Sequence, residues 1–105
     1  MAENRAVVGS TSLAAAPLRV PFAVLDIGTV TEFRAWAAAV APREPATLLL
    51  DLSGVELVTA AGVSGLLDLE RALPSGSQLR IVNELPIVRR VLAICELEER
   101  WLASS

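Results

Sequence analysis

At 105 residues the chain is long enough for one domain with one core, and a 53% hydrophobic content excludes disorder over most of it. A formal charge of −3 without any basic run argues against nucleic-acid binding, which takes a basic stripe. Histidine is absent, which removes Ser-His and Cys-His catalysis, and the lone Cys95 has no partner for an intramolecular disulfide or a soft metal site.

Residues 1–17 read as an edge strand or loop: Val7 and Val8 suit a strand, and Gly9-Ser10-Thr11-Ser12 suits a turn. Glu3 stands early in this stretch and no unbroken apolar core follows, so no export signal is read. No run approaches the ~20 apolar residues of a membrane span, so no direct membrane insertion is expected and the expected location is cytoplasmic. Residues 18–105 read as a single domain. Leu18–Val20 and Phe22–Leu25 are short strand-like segments leading into Asp26. Thr29, with Glu32 three residues on, predicts a capping box opening a helix, with Val30, Phe33, Trp36 or Ala37, and Val40 on its apolar stripe. Pro42 ends that helix.

Thr47–Leu52 reads TLLLDL, which predicts a strand buried on both faces, as in a parallel sheet. Ser53-Gly54 makes a turn, and Val55–Val58 is a short apolar step with Glu56 projecting. Thr59 opens a second helix through Ala72, apolar at Val63, Leu66, Leu67 and Leu73 and wet at Ser64, Asp68 and Arg71. Gln78–Val82 alternates as a strand, and Pro86 suits the first turn of a third helix. Val88, Val91, Leu92 and Cys95 form its apolar stripe, which makes Cys95 a small core residue. The tail holds Trp101 in a terminal strand or short helix. Strands alternating with helices predict an α/β domain with a largely parallel sheet.

Three segments together resemble the STAS-domain family, in its anti-sigma factor antagonist branch. They are LDIGTVTEFRAW (25–36), LLLDLSGVELVTAAGVSGLL (48–67) and QLRIVNELPIVRRVLAICELEERW (78–101). The resemblance implies a small mixed, largely parallel sheet with helices packed mainly on one side. It implies a non-enzymatic protein-binding module without cofactors, whose partner is an anti-sigma factor that is also a serine kinase. That partner surface maps onto Thr59, Ala60, Ala61, Gly62, Val63 and Ser64, with Asp26 and Gly28 at its rim. A homodimer stays open. STAS domains also serve as scaffolds in stress-signalling complexes and as accessory subunits of lipid-transport ATP-binding-cassette assemblies.

Two departures from the family pattern carry physical content. The family places Asp-Ser-Ser/Ala-Gly at the second helix start and is phosphorylated on the first serine. Here the run is Thr59-Ala60-Ala61-Gly62, and Ala60 has no hydroxyl to receive a phosphate. Thr59 is the nearest alternative acceptor, but capping of the Ala61 or Gly62 N–H is the stronger use of its hydroxyl. After the last helix the family often has Gly in a left-handed conformation. Glu96 stands there, at an expected cost of about 1 kcal/mol.

Asp26 reads equally well as a turn residue before Gly28. Asp51 reads as structural, accepting bonds from the Ser53–Val55 turn. Trp36 and Trp101 read as packing residues, and Arg89-Arg90 as a solvated or salt-bridged face. Gly28 and Gly62 fit no nucleotide-binding motif.

Overall fold

Alternate residues of an extended strand face opposite ways, and in the computed structural model, which describes residues 16–102, this divides the central strand into a wet and a dry side. Strands β1 (Leu18–Arg19), β3 (Thr47–Asp51) and β5 (Gln78–Val82) form a three-stranded parallel sheet in that order. Its registered rows Leu18–Leu50–Ile81 and Leu48–Leu79 line one face, where Leu50, Ile81 and Leu79 are buried. The other face carries Arg19–Asp51–Val82, Leu49–Arg80 and Thr47–Gln78, none of them buried. The expectation of a strand buried on both faces is therefore corrected. A leucine run has the composition of a doubly covered strand, but the neighbouring strands place Arg19 and Arg80 on one side of it, and those cations stay in water.

A second parallel pair joins β2 (Val24–Leu25) to β4 (Leu57–Val58). The two short N-terminal strands are thus not partners of each other; each pairs with a strand from the middle of the chain. The expected strand at Val7–Val8 lies outside the described residues.

Four helices supply the dry layer: α1 (Val30–Val40), α2 (Ala60–Ala72), α3 (Pro86–Ile94) and α4 (Glu98–Trp101). Their buried residues include Phe33 and Ala37 of α1, Val63, Leu66 and Leu69 of α2, Val88 and Leu92 of α3, and Trp101. Each large apolar side chain removed from water contributes roughly 1.5–3 kcal/mol. Helices α1 and α2 touch closely at Gly65, where a Cβ would stand 3.0 Å from Val30 Cγ2 and 3.2 Å from Phe33 Cδ2. Among the described residues no helix is long and apolar enough to cross a membrane.

The end of α3 is a Schellman turn: Leu97 N–H donates to the Leu92 carbonyl at 2.8 Å, and Glu96 N–H to Ala93 at 3.0 Å. Glu96 takes the left-handed position with φ 61°, so the helix closes as it does with glycine, and the glutamate carries the strain. This turn swings Leu97 into the core and leaves Cys95 exposed, which corrects its expected place in the core. A stripe extrapolated at helical spacing fails where the helix stops. Trp101 is fully buried in the short helix α4, and its Nε1 donates to Glu70 Oε2 at 2.9 Å. Arg100 Nε donates to the same oxygen at 3.1 Å, while its Nη2 lies 2.5 Å from Glu70 Oε1 as an ion contact. Leu102 then bridges to Ile81 alongside β5.

Candidate functional site

Parallel pairing of β2 with β4 brings their C-terminal ends to the same end of the molecule, with Leu25 beside Val58. Each strand runs directly into a helix, β2 through the Asp26–Thr29 turn into α1 and β4 through Thr59 into α2. Two helix N-termini therefore open side by side, and the residues mapped by the family resemblance, Asp26, Gly28 and Thr59–Ser64, belong to these two turns and the start of α2. The C-terminal ends of parallel strands are where open α/β sheets usually place their binding surfaces.

The first turn is built by Asp26. Its Oδ1 accepts from Gly28 N–H at 2.9 Å and Thr29 N–H at 3.1 Å, and the Thr29 N–H is shared with the Asp26 carbonyl at 3.1 Å. The capping box expected at Thr29 does not form. Thr29 is the N-cap by position, but its hydroxyl donates to the Val24 carbonyl at 2.8 Å and accepts from Asp26 N–H at 3.1 Å. The Val24 carbonyl needs a donor, and that demand outweighs the cap. Ile27, between Asp26 and Gly28, is 82% exposed.

The second turn is held from below by the Leu25 carbonyl. It accepts from Thr59 N–H at 2.9 Å and, more weakly, from the Thr59 hydroxyl at 3.4 Å. The expected bond from Ala61 or Gly62 N–H to that hydroxyl is absent, again because the side chain turns back to a strand-end carbonyl. Gly62 has its own reason to be glycine. A Cβ there would lie 2.3 Å from Leu25 O and 2.8 Å from Leu25 Cβ, so α2 can reach the end of β2 only without a side chain.

These contacts sort the predicted site residues. Ala60, Ser64 and Gly28 are exposed; Thr59, Ala61 and Asp26 are partly so; Gly62 and Val63 are buried and support the surface from beneath. Sequence reading missed two residues at this end: Ile27, and Leu57, which is 41% exposed next to Val24. A signal for Ile27 was present in its β-branched apolar side chain, placed in a turn that needs only its Asp and Gly.

Asp51 stands away from these turns at the end of β3. Ser53 N–H donates to its Oδ1 at 2.8 Å. That bond and the Ser53 hydroxyl hold its carboxyl below the usual range, against a smaller opposing effect of burial and with help from Asn83 and Arg19. The structural role expected for it is what the geometry gives. Arg89 is engaged by Glu84 at 2.7 Å and Glu98 at 3.4 Å, whereas Arg90 is exposed. Between α1 and α2, a shallow hollow of about 190 Å³ is lined by Ala37, Gly65, Leu69 and Ala72, with Asp68 held by Arg34 at 2.8 Å and Arg71 at 3.0 Å. It falls short of the roughly 300–1,000 Å³ of a small-molecule pocket.

Parallel strands with helices packed on one side, and two helix starts delivered by the paired β2 and β4, define a small α/β domain. The family model described as "Mlab, STAS domain" matches residues 23–103, most of the described chain. The chain belongs to the STAS-domain family. No curated protein and no solved structure matches it.

Proposed function

We propose that this chain is a non-enzymatic protein-binding module that acts as an anti-sigma factor antagonist, engaging an anti-sigma factor of the serine-kinase type. The single observation that carries this reading is the paired edge where β2 and β4 deliver their turns. It brings the start of α2, where Ala60 and Ser64 are exposed, against Leu25 at the end of β2, from which the Asp26–Thr29 turn leaves. Ala60 occupies the first position of α2 with a methyl group in place of the hydroxyl that the family phosphorylates. Binding through this edge is therefore not reversed by a phosphate at that residue, and the antagonist is constitutive or is controlled by its synthesis. Calorimetric titration against each switch-kinase anti-sigma factor of the same genome tests this; a Kd of about 1 μM or tighter is expected, roughly −8 kcal/mol. No binding to any of them would refute it.

Ala60 and Ala61 also favour a second reading, that of a scaffold or an accessory subunit in a transport assembly, because a permanent contact needs no switch. Co-purification with an ATPase and a permease, in place of a kinase, would select that reading.

A further inference from the structure

We infer that Ile27 is the anchor of the partner interface, entering an apolar pocket that the partner protein rims with Lys or Arg. The inference rests on the reading of this edge as the partner surface, and adds to it the residue that grips and the chemistry that receives it.

Ile27 is the most exposed large hydrophobic residue among those described, at 82%. Folding gains almost nothing from it, since a side chain left in water contributes no burial. Its turn is nonetheless held firmly. Gly28 N–H and Thr29 N–H are bound to Asp26 Oδ1, and the Thr29 hydroxyl is tied to Val24 O at 2.8 Å. A side chain presented on a backbone already fixed loses little entropy when a partner closes on it. Leu57, exposed on the strand paired with Val24, and the exposed Ala60 at the start of α2 are further apolar positions on the same β2–β4 unit.

The two segments that build this edge carry charge of one sign, and the nearest cation before them in the chain, Arg19, packs its guanidinium against Gly54, ahead of β4. Segments 20–33 and 52–67 contain Asp26, Glu32 and Glu56 and no Lys or Arg. Arg34, the first cation beyond them on α1, is committed to Asp68 at 2.8 Å. An apolar tip carried on acidic segments is complementary to a pocket with a basic rim, and such complementarity steers encounter and disfavours acidic competitors. A second copy of this chain would bring the same acids against them, so the occupant is a different protein.

The test uses the full chain and the kinase-type anti-sigma factors of the titration above. Ile27→Ala should lower affinity about tenfold or more, the scale at which an interface anchor is recognised, and leave the Tm unchanged. Ile94→Ala, which trims the exposed α3 isoleucine, should bind like the parent. Added salt should weaken binding by slowing association. Wild-type binding with Ile27→Ala equally tight overturns the inference and leaves the proposed function standing. Absence of wild-type binding overturns both. A homodimer in sedimentation equilibrium that dissociates on Ile27→Ala also overturns it, because the occupant would then be a second copy.

Discussion

At the residue scale, two residues of the Thr59–Gly62 run, Gly62 and Thr59, have roles set by the close approach of α2 to β2. Gly62 is fixed by the 2.3 Å clearance to Leu25 O, so Gly62→Ala must push α2 away from β2. A loss of about 3 kcal/mol is expected in chemical denaturation, the upper range for overpacking a tight site. A loss below 1 kcal/mol would mean that α2 slides freely. Thr59 leaves the first turn of α2 uncapped because its hydroxyl is turned to Leu25. Thr59→Asp cannot donate, so its carboxylate should rotate to the free N–H groups and meet the positive helix end; a gain of about 0.5–1 kcal/mol is expected. The backbone N–H of Thr59 keeps Leu25 O satisfied in that variant. Ala60→Ser should introduce a hydroxyl on an exposed position; incubation with the bound kinase and ATP should then phosphorylate the variant and leave the parent unmodified at this site, as read by phosphopeptide mass spectrometry.

At the scale of elements, most helices and strands were legible because their apolar periods are clean. Val30, Phe33 and Ala37 mark α1, and Pro86 marks the start of α3. What was not legible lay at their ends, where a side chain chooses between local backbone partners. Thr29 turns back to the Val24 carbonyl five residues before it, and Thr59 to a Leu25 carbonyl that only the β2–β4 pairing brings near, and neither choice is encoded in a capping pattern. Cys95 was misplaced because the Schellman turn begins at the point where helical spacing was still being counted. That turn yields a prediction: Glu96→Gly should raise stability by about 1 kcal/mol, through relief of the left-handed φ of 61°, measured as an increased denaturant midpoint at constant m-value. Helix α4 is held to α2 by Glu70. Partial burial pushes the Glu70 carboxyl up, but bonds from Arg100 and Trp101 and the nearby charges of Arg100 and Arg71 bring it net below its ordinary 4.5. Its contribution to stability is therefore complete above the ordinary carboxylate range and falls away as the pH drops through the lowered folded-state value. Glu70→Ala should remove about 2 kcal/mol by leaving the buried Trp101 N–H without an acceptor, and should flatten the acid limb of the stability–pH profile.

At the scale of the whole molecule, the order of elements and the parallel sense of the sheet followed from the alternation of strands and helices. The division into a three-stranded and a two-stranded piece did not, because β2 and β4 are only two residues each and carry too little pattern to assign partners. The candidate edge was half legible. Thr59–Ser64 and Asp26 were found by their resemblance to a family pattern, whereas Ile27 and Leu57 emerged only once exposure was known. The one-sided sheet has the same origin: leucine content gave the strand, and its cationic neighbours in the sheet decided which face stayed wet.

The bond from Thr59 to Leu25 closes a loop across 34 positions of chain. Contacts of that span form late in folding, after closure entropy has been overcome, and no fragment carrying only one of the two strands can reproduce them. The surface built on them exists in the finished molecule alone. A nascent or partly unfolded chain therefore lacks this edge, and under the proposed function the amount of complex would count correctly folded copies rather than translated ones.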